Sequence, residues 1–360
     1  MVTEEKIQSR EGMAALRDRL RKEPRLSYLF FELTDRCNLR CRHCGSACGE
    51  KGSYLRTESL LELIGSVPQR APDAHLVLTG GEPLLHPDFE IIAAACGEKG
   101  LIWSLVTNAT LIDAQLAKKL RQWGIASVSV SLDGDERRHN YLRRSDTAYA
   151  KAIKAVELLK AQGIPVQLTT VITKHSLSTL DEMYQRVSAM GVRSWKIVNV
   201  EPIGRALGNE ELLLSRDELL RLLDFIRLKR EKGHNRSGEL NITYGCSHFL
   251  PLMYEQEVRQ TPFICGAGIM IAGIQCSGDI AGCLDIERRA GLVQGNIYRD
   301  DFWRVWEKGF EPFRRDRTED STLCSSCRLR HYCGGDSMHT WDFDAKRPRI
   351  CFMCDTEKAE

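Results

Sequence analysis

Residues 37–44 read CNLRCRHC, which sets Cys37, Cys41 and Cys44 at i, i+4 and i+7 in one short, arginine-flanked stretch. Thiolates so closely spaced point to metal, and three of them leave one position of a metal group unclaimed by the chain. A fourth cysteine would indicate structural zinc or a closed ferredoxin-type cluster; an open position indicates a metal that binds something else. Cys48 and Cys96 fall outside the triplet and read as buried or incidental thiols. His43 reads as a spacer.

Nine of the 14 cysteines follow residue 245. Cys265 and Cys283 bracket CGAGIMIAGIQCSGDIAGC, with Cys276 inside it and Cys246 upstream. Cys324, Cys327 and Cys333 form C-x2-C-x5-C in CSSCRLRHYC, and Cys351 and Cys354 lie beyond. In a reducing compartment such spacings bind metal in preference to forming disulfides, and zinc is the plain occupant of C-x2-C pairs taken alone.

The elements that must position these groups alternate. YLFFELT (28–34), HLVLTG (75–80), IWSLVTNA (102–109), ASVSVSLDG (126–134), PVQLTTVIT (165–173) and SWKIVNV (194–200) are β-rich runs of strand length. Helical spacing of apolar residues follows over 57–67, 88–100, 113–124, 148–163 and 177–191. Repeated β-α units imply an α/β fold with a parallel sheet, open or closed into a partial barrel, and both place ligands at the carboxyl ends of the strands. The cysteine loop, GGEP (80–83), TNAT (107–110) and SLDG (131–134) all lie at such ends.

Composition narrows the context. The 360 residues, 42% hydrophobic and 28% charged, describe an ordinary globular chain of about two domains. Lys+Arg 51 against Asp+Glu 49 gives a net charge of +2, which steers the chain toward neither nucleic acid nor an anionic membrane. MVTEEKIQSR opens with charge in place of a secretory signal, so a cytoplasmic location is expected.

The C-x3-C-x2-C loop after strand one, GGEP after strand two and SLDG after strand four together resemble the radical S-adenosylmethionine superfamily, over roughly residues 26–230. The resemblance implies a partial (β/α)6 TIM-like barrel over 26–235 behind a lead-in helix in 1–25. Cys37, Cys41 and Cys44 would hold a [4Fe-4S] cluster whose fourth iron binds S-adenosylmethionine, and reduction would release a 5′-deoxyadenosyl radical. Gly80, Gly81 and Glu82 would run beside the methionyl amino group, where missing Cβ atoms permit backbone approach, and Pro83 would fix the turn. Ser131 and Asp133 would bond the ribose, Asn108 would line the pocket, and Arg143 in HNYLRRS would pair with the cofactor carboxylate. Asn140 replaces an aspartate of the family pattern there.

Residues 236–360 resemble the SPASM extension of radical enzymes that modify peptides and proteins, a cysteine-rich domain holding one or two auxiliary iron-sulfur clusters. PIGRA (202–206) also occurs in such enzymes. Cys324, Cys327, Cys333 and Cys351 would complete one auxiliary cluster. Cys265 and Cys283, with Cys246 or Cys276, would begin a second, whose expected partner after Cys333 is replaced by Ser337 and whose gap Asp336 could fill. The resemblance points to an oxidative change, such as a crosslink, on a side chain of a ribosomally made peptide or protein. A formylglycine-generating sulfatase maturase and a small-metabolite enzyme are the enzymatic alternatives; a zinc or iron-sulfur scaffold or electron carrier is the non-enzymatic one. The implied partners are the peptide or protein substrate, a flavodoxin- or ferredoxin-type electron donor and, because residues 1–25 are too short for a leader-binding domain, either a separate leader-recognition protein or direct contact of the substrate with the barrel. The catalytic base is open: Lys174, His175, Asp279 and Asp285 are candidates by position, while Trp341, Asp342 and Asp344 read as packing or support.

Overall fold

The computed structural model describes residues 10–233, 240–245, 248–261 and 263–352. Helix α1 (Arg10–Lys22) leads into β1 (Tyr28–Glu32), then α2 (Thr57–Arg70), β2 (His75–Thr79), α3 (Phe89–Glu98), β3 (Trp103–Thr107), α4 (Ala114–Gln122), β4 (Ser127–Ser131), α5 (Glu136–Arg143), α6 (Ala148–Ala161), β5 (Val166–Ile172), α7 (Leu180–Ala189) and β6 (Ser194–Asn199). All six expected strands are present, each inside its β-rich run. Helix α5 was not anticipated, because its polar sequence ERRHNYLR has no apolar stripe. It forms by capping: the Asp135 carboxylate accepts from Arg138 N at 2.8 Å, as Asp113 does from Leu116 N at 2.7 Å ahead of α4. Each such cap contributes about 1 kcal/mol.

The sheet runs past those six strands at both edges. Strand β7 (Asn241–Tyr244), which follows α8 (Arg216–Gly233), pairs in parallel with β6. After α9 (Leu252–Val258), β8 (Ile271–Ile274) pairs in parallel with β1 from Tyr28↔Ile271 to Phe31↔Ile274. Strands β9 (Asp279–Ala281) and β10 (Gly295–Asn296) extend that edge in antiparallel fashion, giving the order β10-β9-β8-β1-β2-β3-β4-β5-β6-β7. The segment IAGI lies inside a cysteine- and glycine-rich stretch, and its strand character shows only once β1 offers it an open edge to cover. Helices α10 (Phe302–Lys308), α11 (Glu311–Arg314) and α12 (Arg330–Cys333) and a separate hairpin of β11 (Trp341–Asp342) and β12 (Arg347–Pro348) complete the C-terminal region.

Burial alternates along β5 and β6. Leu168, Ile172, Trp195 and Ile197 point outward and are sealed in the main core, whereas Val171, Lys196 and Val198 point into the lumen and stay partly open. A closed (β/α)8 barrel fills its interior with side chains; this one keeps a lined space at the carboxyl ends. The outer layer is held by large side chains such as Phe31, Trp103 and Trp195, each worth about 1.5–3 kcal/mol in burial. Both indoles find acceptors: Trp103 Nε1 donates to Trp123 O at 3.1 Å and Trp195 Nε1 to Thr170 Oγ1 at 2.8 Å. Among the described residues no helix is long and apolar enough to cross a membrane.

Candidate functional site

The loop between β1 and α2 carries Cys37, Cys41 and Cys44, which pack with Leu39, Cys48 and Ala148. Donors reach these sulfurs: Leu39 N at 3.4 Å and Asn108 Nδ2 at 3.8 Å on Cys37, and Arg143 Nη1 at 3.7 Å on Cys41. Burial pushes the Cys37 thiol up to about 11, and burial also raises Cys41 against the pull of Arg143. Thiols this shielded ionise when a cationic metal group compensates them, and the donors then face anionic sulfur, so the set fits an iron-sulfur cluster. Among the described residues no three Cys, His, Asp or Glu side chains meet around a single ion. Cys48 is buried beside the loop. Its thiol bonds to Cys44, which holds Cys44 below the ordinary thiol range against burial, with Arg205 assisting, and raises Cys48 itself. Cys96 sits in α3 in the main core, pushed up to about 12 by burial alone.

The GGEP turn is stitched to the start of the cysteine loop. Gly81 N donates to Thr34 O and Glu82 N to Arg36 O, both at 2.8 Å. A Cβ on Gly80, whose φ is 139°, would overlap the Thr34 carbonyl, and one on Gly81 the Arg36 carbonyl. The close approach that requires glycine is therefore made by this chain's own backbone. Glu82 turns away from the cavity: Oε1 accepts from Thr107 Oγ1 at 2.7 Å and Leu84 N at 3.3 Å, Oε2 from Asn108 N at 2.8 Å. Burial pushes it up to about 7 although those donors favour the anion. Pro83 opens the 3-10 turn Pro83–Leu85 behind it.

Asp133 has no exposed surface and does not reach the cavity wall. Its Oδ2 accepts from Arg143 Nε at 2.6 Å and its Oδ1 from Val171 N at 3.1 Å. Burial opposes its charge, but Arg143 outweighs that and holds the carboxyl well below the usual range. The carboxylate expected on a ribose is instead the counter-ion that aims Arg143 at Cys41. Asn140, on the same helix, has turned to a local task, donating to Asp146 O at 3.0 Å and accepting from Tyr149 N at 3.0 Å.

Cys37, Cys41, Cys44, Gly80, Gly81, Asn108, Ser131 and Arg143 line one cavity of about 340 Å³. Sequence reasoning missed four of its other walls: Lys196, Glu201, Arg205 and His339. Phasing β6 on its buried Trp195 and Ile197 would have pointed Lys196 inward. Arg205, in PIGRA, clamps the cysteine loop: its backbone N donates to Cys44 O at 2.9 Å, Nε to Cys41 O at 2.7 Å and Nη1 to Cys48 O at 2.7 Å. Gly204 has φ 55°, and a Cβ there would overlap the Cys44 and Gly45 carbonyls. His43 lines the cavity with its side chain almost fully buried, pushed down to about 4 by burial, and its Nδ1 has no hydrogen-bond partner among the described residues. Asp285 reaches the cavity from the C-terminal region. Lys174 and His175 do not: His175 lines a separate cavity with Arg137 and Arg138. Asp279 bonds Ser277 Oγ and Asn296 Nδ2, and Asp342 and Asp344 pair with Arg349 and Arg289.

In the C-terminal region Cys265, Cys333 and Cys351 pack around Phe249 and Phe263. Cys324 is raised first by burial and then by Cys351 and Cys327 close by. Backbone donors reach two of these sulfurs, Met338 N on Cys265 at 3.4 Å and Asp336 N on Cys333 at 3.1 Å. Asp336 does not offer a free carboxylate to a metal, because Oδ1 accepts from Phe249 N at 2.7 Å and Oδ2 lies 3.0 Å from His248 Nδ1. Cys276 is elsewhere: its N donates to Glu32 Oε2 at 3.0 Å, and burial, then Glu32, push its thiol up to about 12. Cys283 packs against the main core. Cys246 and Cys354 lie outside the described residues.

The radical SAM superfamily domain matches residues 31–187, and the SPASM iron-sulfur cluster-binding domain matches 265–328. An AdoMet-dependent heme synthase of Nitratidesulfovibrio vulgaris is 27% identical over 332 residues, 87% of each chain. The mycofactocin maturase MftC of Mycobacterium ulcerans is 30% identical over 320 residues, 86% of this chain and 82% of that one. Among solved structures, anSMEcpe with AdoMet and the Cp18Cys peptide superposes with a TM-score of 0.73 at 20% identity, covering 93% of this chain and 95% of that one, which shows a shared fold. A three-thiolate loop roofed by GGEP at the mouth of a partial barrel, followed by a second cysteine set, is thus matched in sequence and in fold, and the chain belongs to the radical SAM superfamily as an enzyme with a SPASM domain, using S-adenosylmethionine, a [4Fe-4S] cluster and auxiliary iron-sulfur.

Proposed function

We propose that this enzyme oxidatively modifies a side chain of a ribosomally made peptide or protein. The observation that carries the reading is the cavity. At about 340 Å³ it lies near the small end of ligand pockets, which run about 300–1,000 Å³, and it must also hold the cofactor. With the cofactor in place the bulk of any substrate stays outside, which suits a side chain offered from a larger chain. The likeness to mycofactocin maturase supports this. When bound, the cluster and S-adenosylmethionine would supply the chemistry of hydrogen-atom removal, and the auxiliary iron-sulfur would take up the electron that net oxidation leaves, the proton going to a base. Cys37, Cys41 and Cys44 hold the first cluster, and Gly80, Gly81, Asn108, Ser131 and Arg143 line the cofactor's place. Asp133 aims Arg143, while Glu82 and Pro83 shape the loop. Cys324, Cys327, Cys333 and Cys351 hold one auxiliary cluster, and Cys265 and Cys283 with Cys246 hold a second. The barrel takes 26–235 and the auxiliary-cluster domain 236–360, in a cytoplasmic protein served by a flavodoxin- or ferredoxin-type donor and a separate leader-recognition protein.

The likeness to a heme synthase favours a second reading, a small-molecule substrate of the tetrapyrrole kind. One experiment separates the two. Anaerobically reconstituted protein is given S-adenosylmethionine, dithionite and either the peptides encoded by short reading frames beside its gene or an iron tetrapyrrole. Deoxyadenosine with loss of two hydrogens from a peptide supports the first reading. Deoxyadenosine with a mass change in the tetrapyrrole and every peptide unchanged replaces it by the second.

A further inference from the structure

Beneath the reaction cavity lies a second one, of about 540 Å³, and Lys196 lines both. Lys196 pairs with Thr169 of β5 and Thr243 of β7, three residues before Asn199 closes β6. That sets its backbone about 10 Å below the carboxyl ends of the strands, where the cysteine loop sits. Its side chain faces the lumen and its stem crosses Gly245, where a Cβ would stand 3.3 Å from Lys196 Cε and overlap Val198. The lower cavity is largely apolar, walled by Met13 and Leu16 of α1 and by Tyr28, Phe263, Met270 and Ile271, with Tyr28 exposed at the start of β1.

Other charges beside Lys196 are engaged. Arg259, the second cation on the lower wall, pairs with Glu255 and donates through Nη2 to Gly245 O at 3.0 Å and His248 O at 2.7 Å. Glu201, on the upper wall, accepts from Asn199 Nδ2 at 2.9 Å and meets His248. Among the described residues no carboxylate pairs with the Lys196 ammonium and no group accepts a hydrogen bond from it. A half-buried ammonium that shares its wall with Val171 and Val198 has given up hydration that an incoming anion makes good.

We propose that Lys196 binds a carboxylate of the substrate at the boundary of the two cavities, with an apolar residue of the same substrate in the lower one. The cysteine loop and the residues assigned to the cofactor close the reaction cavity from its upper end, so a group reaching in from the floor meets the substrate. The modified side chain then stands next to an acidic side chain or to the free C-terminal carboxylate of a peptide. This rests on the reading of the enzyme as a modifier of peptides or proteins.

The test is saturation-transfer NMR on the full reconstituted chain with S-adenosylmethionine and no reductant, using three probes. N-acetylphenylalanine carries a C-terminal carboxylate, N-acetylphenylalanylglutamate α-amide a side-chain carboxylate, and N-acetylphenylalanine amide neither. The parent should hold a carboxylate probe about 10-fold more tightly than the amide, the low end for a hydrogen bond to a charged group because the site is half open. Whichever carboxylate is preferred identifies the source. Lys196→Gln should bind all three alike, and Lys196→Arg, which keeps the charge, should recover part of the preference. Equal binding of the probes by the parent, absence of binding included, or a preference that survives Lys196→Gln overturns the subsite. Loss of S-adenosylmethionine binding in Lys196→Gln assigns the lysine to the cofactor and overturns it as well. The probes are read by binding alone, so a change confined to the tetrapyrrole in the turnover experiment overturns the peptide reading and not the carboxylate preference.

Discussion

Arg205→Ala tests whether the stretch after β6 holds the cysteine loop in ligating shape. The substitution keeps the backbone bond to Cys44 O and deletes the two side-chain bonds, to Cys41 O and Cys48 O, each 2.7 Å long. Bonds from a charged donor contribute roughly 1.5–3 kcal/mol each. Gly45, Ser46 and Ala47 of the loop are exposed, so water recovers part of the loss and a net cost of about 2–4 kcal/mol is expected. That cost falls on the geometry of the loop, because the carbonyls belong to residues of the loop itself. At about 1.4 kcal/mol per tenfold, affinity for the first cluster should drop on the order of 30- to 1,000-fold. The assay is loss of the first cluster's EPR signal under a graded iron chelator, with thermal melting of the barrel as control. Arg205→Lys should recover little, since an ammonium cannot span both carbonyls as the guanidinium fork does. A variant that keeps its cluster against chelator as firmly as the parent refutes the clamp.

Replacing Cys37, Cys41 and Cys44 together by Ala should abolish deoxyadenosine formation and spare the C-terminal iron; deoxyadenosine at the parental level would defeat the assignment. Glu82 has its ionisation raised from 4.5 to about 7 by burial, so the folded state holds the proton more tightly than the unfolded. Its share of stability is therefore lost as pH rises through about 4.5 to 7, and Glu82→Gln should flatten that fall by up to about 3 kcal/mol in urea melts of the metal-free protein at pH 5 and 8. Equal slopes in both proteins would contradict it. Cys276→Ser should leave iron per chain unchanged, about 12 for three clusters or about 8 for two, because that thiol sits on Glu32 and Arg288; loss of about four irons would return it to the ligand set.

Short-range pattern made much of the molecule legible. The six strands of the barrel could be read because each is a run of β-formers closed by polar or glycine residues, and α2, α3, α4, α6 and α7 because their apolar spacing is helical. Helix α5 and strand β8 resisted, the first because capping and the Asp133–Arg143 pair hold it without an apolar stripe, the second because its pairing partner lies some 240 residues away. In the site, residue type and spacing marked the cysteine loop and GGEP, but not what each neighbour does. Gly80 and Gly81 are required by their own chain's Thr34 and Arg36, Asp133 serves Arg143, and Cys276 faces Glu32.

By itself the sequence determined that three thiolates stand in one loop after a strand, that β-α units follow, and that a second cysteine set lies downstream, since these depend on residues near one another in the chain. Tertiary structure alone decided that Arg205 grips that loop, that Lys196, Asp285 and His339 share its cavity, and that Glu201 reaches Cys333 through His248 and Asp336. Glu201 and His248 stand 47 positions apart, His248 and Asp336 88, and Arg205 and Cys41 164, and no periodicity in a chain encodes which distant groups a closing sheet will press together.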